Sequence, residues 1–157
     1  PRRGETFVTQ KIVQAMCKIK KNQQKILYLG NIYSKRDWGH AKDYVEAMWL
    51  MLKQKKPQDF VIATGKQYTV KSFINNVAKK LDMKIFWKGK GINEKAVDDK
   101  GRTIVACSKT YYRPLEVNSL LGDARKARKL LKWSPKINLD RLIEDMIEVE
   151  MDKISFL

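Results

Sequence analysis

The stretch His40-Ala-Lys-Asp-Tyr-Val-Glu-Ala-Met-Trp-Leu-Met-Leu-Lys53, followed after Pro57 by Phe60-Val-Ile-Ala63, decides the fold class. Its first part repeats apolar residues every three or four positions, which predicts an amphipathic helix. Its second part is an unbroken apolar run closed by Thr64-Gly65, and this pattern predicts a strand that is buried on both faces of a parallel sheet. A helix joined to such a strand favours an α/β or α+β protein over a helical bundle or a β-sandwich.

Further helices and short strands alternate on both sides of this stretch. On its N-terminal side, the spacing of apolar residues predicts a helix over residues 5–22 and a short buried strand over residues 25–29. On its C-terminal side, the predicted elements are a third helix with Thr69 as its N-cap, strands over residues 85–87 and 103–106, a short basic helix over residues 124–131 capped by Asp123, and a last amphipathic helix from Leu139 to Met151. The segment between Gly89 and Gly101 is rich in Gly, Lys, Asp and Asn, which indicates a mobile surface loop.

Composition limits the class of protein. With 157 residues, of which 43% are apolar and 32% charged, the chain is long enough for one domain with a hydrophobic core. No apolar run approaches the roughly 18–20 residues of a membrane-spanning helix, and the charged N-terminus is not followed by the apolar stretch of a secretory signal. We therefore expect a soluble, cytoplasmic protein. Cys17 and Cys107 lie far apart without a metal-ligand pattern, so we expect reduced, structural thiols rather than a disulfide or a zinc site.

The charge of the chain predicts anionic partners. Lys and Arg outnumber Asp and Glu by 33 to 17, which gives a net charge of +16. Nucleic acid, an acidic membrane surface and phosphorylated small molecules all suit such a charge. The lysines are spread over every predicted helix and no RNP, KH or helix-turn-helix signature is present, and charge of this kind is usually a solvated surface rather than a nucleic-acid interface.

The loop Arg36-Asp-Trp-Gly-His40 leads into the central predicted helix. A helix N-terminus with a neighbouring arginine suits an anion, which makes Arg36 a candidate phosphate ligand. The alternative is that Asp37 and His40 only cap the helix while Trp38 packs on its flank, and the residues alone do not decide between the two. His40 is the single histidine, and without further ligands or a suitably placed Ser or Cys it indicates neither a metal site nor a hydrolytic triad.

A second cluster is Tyr111-Tyr-Arg-Pro-Leu-Glu116. The proline fixes the backbone next to Arg113, whose guanidinium can grip a diphosphate, and Glu116 can accept hydrogen bonds from ribose hydroxyls. In the simpler interpretation, Arg113 and Glu116 form a surface ion pair of little energetic value. Val8 and Lys11 lie three positions apart on one face of the first helix, where a lysine is most often only solvated.

Several longer motifs together carry a resemblance to a known family. They are Pro1-Arg-Arg-Gly-Glu-Thr-Phe-Val-Thr9, Leu29-Gly-Asn31, Arg36 to Leu52, Asp59-Phe-Val-Ile-Ala-Thr-Gly65, Tyr112-Arg-Pro114 with Glu116, and Leu121-Gly-Asp123. In this order they resemble the GDP-mannose 4,6-dehydratase family, which belongs to the extended short-chain dehydrogenases and to the NAD-dependent epimerase/dehydratase group. The resemblance runs along almost the whole chain and covers about the C-terminal half of such an enzyme. Residues 93–109 are the least similar, and we infer nothing from them.

The resemblance implies an activity for the whole enzyme. The family converts GDP-mannose to GDP-4-keto-6-deoxymannose, a step of GDP-fucose and deoxyhexose biosynthesis, with a tightly held NADP that is reduced and then reoxidised. The family's glycine-rich cofactor motif, its Thr and Glu catalytic pair and its Tyr-x-x-x-Lys belong to the N-terminal half and have no counterpart in this sequence. We therefore assign no catalytic residue and expect this chain alone to be inactive.

The resemblance also assigns binding roles, and it implies no metal. Val8 and Lys11 resemble family residues that meet the guanine, Arg36 and Arg113 those that hold the diphosphate, Glu116 one that bonds the ribose, and Arg3 one that contacts NADP. These roles agree with the chemistry of the residues, because guanine O6 and N7 are acceptors suited to a lysine and a diphosphate suits paired arginines.

The implied fold is the α/β fold of the last Rossmann elements plus a smaller substrate-binding lobe. Residues 1–157 would form the C-terminal, substrate-binding part, with the helix over residues 40–53 and the strand over residues 60–63 returning to the Rossmann sheet. The N-terminal, NADP-binding Rossmann half is absent from this sequence, so we expect that half or further copies of the chain as protein partners, and no membrane. Two alternatives remain open: a non-enzymatic, basic nucleic-acid-binding protein, favoured only by the charge, and a free-standing GDP-sugar-binding module that does no chemistry.

Overall fold

The computed structural model of the chain describes residues 1–113, 115 and 117–155. The helices are α1 (Val8–Lys20), α2 (Ala41–Leu52), α3 (Val70–Lys80), α4 (Arg125–Leu130) and α5 (Leu139–Ser155). The strands are β1 (Leu27–Leu29), β2 (Lys35–Arg36), β3 (Tyr68–Thr69), β4 (Ile85–Lys88), β5 (Lys95–Asp98) and β6 (Thr103–Cys107). All five predicted helices and the three predicted strands at 25–29, 85–87 and 103–106 are thereby confirmed. Within the described residues, no helix combines the length and the hydropathy that crossing a bilayer requires.

The strands form two sheets. In the larger sheet the order is β1-β6-β5-β4. The strands β1 and β6 are parallel, with Leu27 opposite Val105 and Leu29 opposite Cys107, whereas β5 pairs antiparallel with both β6 and β4. The smaller sheet pairs β2 with β3 in antiparallel register. The chain is therefore an α/β protein with a mixed sheet.

The main hydrophobic core lies where α1, α3 and α5 pack together beside the larger sheet. Each helix contributes the apolar stripe that its sequence spacing predicts. The largest fully buried side chains of these three helices include Ile12, Met16, Phe73, Ile74 and Ile143. Cys17 also lies in this core as a free thiol, and burial raises its pKa to about 12. A thiol of this kind is inert, as expected of a structural cysteine.

The prediction of a strand over residues 60–63 is wrong. A second, smaller core joins α2 and α4 to this segment, and Ala47, Ala63 and Trp133 are buried in it. The segment nevertheless forms no strand, and the side chain of Val61 is 52% exposed. The physical reason is that a strand exists only through ladder hydrogen bonds to a neighbour, and no described strand pairs with this segment.

The prediction of a mobile loop over residues 89–101 is also wrong. It contains a turn of 3₁₀ helix, Gly91–Asn93, and then β5, which lies between β4 and β6 in the larger sheet. Ala96 and Val97 are buried there, and the acidic side chains that bracket them are also buried but bonded. Because Lys and Arg partners satisfy these carboxylates, a segment with few apolar residues can form an interior strand.

The helix caps agree with the sequence in two cases and differ in one. The Oγ1 atom of Thr69 accepts a hydrogen bond from Ser72 N at 2.9 Å, as predicted for the start of α3. The Nδ1 atom of His40 accepts one from Lys42 N at 3.1 Å, which caps α2. At α4 the N-cap is Ala124 rather than Asp123, whose carboxylate instead bonds Arg125 N and the Arg125 guanidinium.

The helix α2 has two apolar faces, of which only one is covered. Its residue Ala47 is buried in the smaller core, with Tyr44, Leu50 and Met51 partly buried around it. The other face consists of exposed apolar side chains at helical spacing: Val45, Met48, Trp49 and Leu52. The predicted helix is therefore confirmed, and one of its apolar faces is exposed in the described part of the chain.

Candidate functional site

The candidate site lies at the carboxyl ends of β1 and β6. Parallel strands end at the same edge of a sheet, and ligands of open α/β sheets bind at that edge. Gly30 follows β1 there and Ser108 follows β6, and Ser108 N donates to Leu29 O at 2.8 Å. The chain continues through residues 108–120, and we call the described residues of this stretch, 108–113, 115 and 117–120, the crossing segment. It contacts Gly30 after β1, Lys11 of α1 and Arg36 of β2.

The first contact of the crossing segment is with Gly30. A Cβ atom at this position would lie 2.0 Å from Tyr111 O, so only a glycine lets the two backbones approach this closely. The ring of Tyr111 in turn lies beneath a cation from α1, because Lys11 Nζ is 3.6 Å from the ring centroid. Partial burial lowers the pKa of Lys11. Val8, one turn earlier on α1, is half-buried against the main core.

The second contact is with β2. Lys35 N donates to Asn118 O at 2.8 Å, and Leu120 N donates to Lys35 O at 3.2 Å, so the crossing segment runs beside β2. Arg36 Nη1 donates to Val117 O at 2.7 Å and to Lys35 O at 2.8 Å. Arg36 therefore holds the crossing segment just beyond Arg113. The side chain of Arg113 is exposed, and Glu116, together with Pro114, lies outside the described residues.

The other residues of the Arg36–His40 loop have structural roles. The Asp37 carboxylate accepts hydrogen bonds from Thr64 N at 3.1 Å and from Gly65 N at 2.8 Å. Trp38 packs edge-on against Phe73, with ring centroids 5.1 Å apart. His40 caps α2, and its Nε2 lies 3.4 Å from a carboxylate oxygen of α5. The packing and capping alternative thus describes this loop, except that Asp37 fixes a neighbouring turn rather than the helix.

Arg3 lies in a different place. Its guanidinium is 3.8 Å from the ring centroid of Phe7, and it lines a cleft of about 450 Å³ together with Arg2, Lys153 and Gln10. Among the described residues, the buried Gln10 Oε1 atom has no hydrogen-bond partner. Neither Lys11 nor the two arginines of the diphosphate prediction line this cleft. The structure therefore brings Lys11 and Arg36 to one segment and places Arg3 apart from them.

Sequence reasoning missed a buried carboxylate beside the site. Glu94 is only 3% exposed, and it accepts hydrogen bonds from the Tyr33 hydroxyl and, at 2.5 Å, from Lys71 Nζ. Burial alone would raise the pKa of Glu94, but the bonds from Lys71 and Tyr33 together outweigh it and lower that pKa. Since Glu94 O also accepts from Cys107 N, this network fixes the start of the crossing segment. No three His, Cys, Asp or Glu side chains of the described ranges converge as a metal site.

Solved structures with the same fold include a protein complexed with NADPH and an epimerase with UDP-glucose. The chain matches RMD from Pseudomonas aeruginosa, complexed with NADPH, with a TM-score of 0.78 at 14% identity, covering 98% of this chain and 45% of that one. It matches UDP-glucose 4-epimerase from Thermotoga maritima, with UDP-glucose, with a TM-score of 0.67 at 19% identity, covering 98% and 41%. At these identities the likeness shows the fold alone.

Sequence comparison is more specific. A family model described as GDP-mannose 4,6 dehydratase matches residues 1–146. The chain is 48% identical over 156 residues to GDP-mannose 4,6 dehydratase of Dictyostelium discoideum, covering 99% of the chain and 44% of that relative. It is 50% identical over 147 residues to GDP-mannose 4,6 dehydratase 2 of Caenorhabditis elegans, covering 94% and 38%. The chain thus spans less than half the length of these curated relatives. With a family match over most of its residues, the chain belongs to the GDP-mannose 4,6-dehydratase family.

Proposed function

We propose that this chain is the substrate-binding part of a GDP-mannose 4,6-dehydratase, which converts GDP-mannose to GDP-4-keto-6-deoxymannose on the way to GDP-fucose and other deoxyhexoses. One observation carries the proposal. The crossing segment contacts Lys11 and Gly30 through Tyr111 and contacts Arg36 through Val117, at the carboxyl edge of two parallel strands. The names of the relatives supply the substrate class.

Each side chain has a role that suits its chemistry. Lys11 and Val8 bind the guanine, whose O6 and N7 atoms accept hydrogen bonds while its ring packs on an apolar surface. Arg36 and Arg113 hold the diphosphate, since guanidinium groups bind phosphate oxygens in a bidentate manner. Glu116 accepts from the ribose hydroxyls. The position of Tyr111 against Lys11 supports this arrangement, because it brings the first helix to the segment that carries Arg113.

The cleft at Arg3 fits a phosphate-bearing cofactor. Its lining cations Arg2, Arg3 and Lys153 outnumber its one carboxylate, that of Glu5. Gln10, which also lines the cleft, has a buried Oε1 atom without a hydrogen-bond partner among the described residues. We propose that Arg3 contacts NADP at this cleft. NADP supplies the hydride chemistry when bound, and this chain contributes only charge and orientation to it. No residue of this chain is proposed as catalytic.

Residues 1–157 are, in this proposal, the C-terminal part of the enzyme, and an N-terminal Rossmann half completes it. Two features support this division: the exposed apolar face of α2, and residues 60–63, which pair with no described strand. Apolar surfaces of this kind are normally covered by another layer of the protein. The proposed location of the enzyme is the cytoplasm. The chain alone is then inactive, and GDP-mannose turnover requires the added half. If the chain alone formed product from GDP-mannose and NADP, the assignment of catalysis to the N-terminal half would be wrong.

The binding proposal is tested by titrating the 157-residue chain with GDP, with guanosine and with duplex DNA at 50 mM and 200 mM salt. We expect saturable GDP binding that changes little with salt and weaker guanosine binding. A nucleic-acid-binding protein would instead bind DNA with an affinity that falls on the order of 10³-fold between these salt concentrations. DNA binding without GDP binding would replace the proposed function by the nucleic-acid alternative.

A further inference from the structure

The strand β4 is an open edge of the larger sheet. It pairs with β5 on one side, and no strand of the described chain pairs with its other side. Such an edge presents backbone N–H and C=O groups that another extended chain can bond. The edge is four residues long, which corresponds to roughly 13 Å of strand. An occupant of four or five extended residues would match it.

A cleft of about 500 Å³ lies along this edge, between β4 and the C-terminal part of α3. Ile85 and Trp87 point to the cleft side, where they are half-buried and pack against the main core. Trp87 is held in place, because its Nε1 donates to Asn75 Oδ1 at 2.8 Å and Lys71 Nζ lies 4.7 Å from its ring centroid. A strand added beside β4 would place every second side chain over this apolar floor.

The opposite face of β4 is exposed and basic. Lys84, Phe86 and Lys88 alternate with the half-buried residues, and Phe86 is 54% exposed. The other charged residues that line the cleft are Lys79 and Asp82, whose charges offset each other. The surplus of positive charge at this edge is therefore that of Lys84 and Lys88 on the exposed face, and it complements an acidic strand.

The same charges disfavour a second copy of this chain as the occupant. Two copies of β4 paired antiparallel about Phe86 would set Lys84 of each copy opposite Lys88 of the other. Like charges that face each other directly across a strand pair are destabilising. We propose that the free edge of β4 binds an extended segment of a protein partner in which acidic and aliphatic residues alternate, the aliphatic ones covering Ile85 and Trp87 and the acidic ones facing Lys84 and Lys88. This site is separate from the candidate GDP site.

The test uses a fluorescent ten-residue peptide of alternating glutamate and valine, titrated against the 157-residue chain with anisotropy as the readout. We expect saturable binding and slower hydrogen exchange of the β4 amides in the complex. The double variant K84E/K88E should bind at least tenfold more weakly. The matched control is K18E/K20E, which makes the same change in net charge on exposed residues of α1 and should change the affinity less than twofold. Circular dichroism establishes that both variants are folded.

Three further results would overturn the proposal. Equal losses in the two double variants would mean that net charge alone attracts the peptide. Unchanged binding of a peptide N-methylated at alternate positions, which cannot form ladder hydrogen bonds, would exclude strand addition. A dimer of the unmodified chain that F86K dissociates, seen by sedimentation, would assign the edge to a second copy. The GDP titration is independent of all three, so the two proposals can fail separately.

Discussion

At the scale of single residues, Arg113 provides the sharper test of the diphosphate contact. It is exposed at the crossing segment, whereas Arg36 also bonds the backbone of that segment. Replacing either arginine with Ala should weaken GDP binding by about 1.5–3 kcal/mol, the range for a hydrogen bond to a charged group, and guanosine binding much less. Calorimetry with both ligands measures the difference. R125A, which removes an exposed guanidinium bonded to Asp123, is the control. Equal losses of GDP and guanosine binding would indicate damage to the fold.

A second prediction at this scale concerns the pH dependence of Glu94. Because its pKa in the fold lies below the ordinary value near 4.5, its contribution to stability is complete above about pH 4.5 and is lost as the pH falls through the lower, folded value. E94Q should destabilise the chain by about 1.5–3 kcal/mol at pH 7, since it weakens bonds to Lys71 and Tyr33. Thermal melts from pH 3 to pH 7 should show the difference shrinking at low pH. The exposed E148Q is the control, and a difference independent of pH would refute the assignment.

At the scale of elements, the approach of β1 to the crossing segment depends on Gly30. In G30A the new methyl group would meet Tyr111 O, so the segment must move away from β1 and take Arg113 with it. We expect at least a tenfold loss of GDP affinity with the helical signal retained in circular dichroism. G4A is the matched control, because its methyl group would make an ordinary contact of 3.4 Å with Phe7. Wild-type GDP affinity in G30A would show that GDP does not bind at this strand end.

Local patterns predicted the helices and three of the strands, because each depends on spacing within one segment. They failed for Phe60–Ala63 and for the strands β2, β3 and β5, where the outcome depends on distant partners. The strand β5 is stabilised by a buried Glu94 that a lysine of α3 neutralises. Residues 60–63 have no ladder neighbour among the described strands. Neither fact is visible in the segments themselves.

The candidate site was predicted in parts rather than as a whole. The sequence singled out Lys11, Arg36 and Arg113 by residue type and by resemblance. Their arrangement depends on the parallel pairing of β1 with β6, which are far apart in the chain, and on the contact between Lys11 and Tyr111. Long-range pairings of this kind have no local signal. The position of Glu116 stays a prediction, because that residue lies outside the described ranges.

At the scale of the whole molecule, the exposed face of α2 determines the last prediction. Val45, Met48, Trp49 and Leu52 form one apolar stripe, and monomeric proteins rarely leave such a contiguous patch uncovered. The neighbouring residues 60–63 are apolar and pair with no strand in the part of the chain that the structure describes. Both features fit a surface that the remaining part of the family's length would cover, since the chain spans 44% of its Dictyostelium relative.

We therefore predict that the chain alone self-associates or is marginally stable, and that an N-terminal half from the family, supplied in trans, stabilises it. At a concentration of that half about 100 times its dissociation constant, binding adds about 2.7 kcal/mol, which corresponds to a rise in Tm of roughly 5–10 °C. The variant W49E/L52E should abolish the rise, because charges cannot be buried on the stripe without partners. F86E, a charge placed on an exposed position of β4, should keep it. Melting curves with light scattering measure both effects. The contrary result is a monodisperse monomer whose Tm is the same with and without the added half. It would show that α2 faces water in the native protein and that these residues fold as a complete domain.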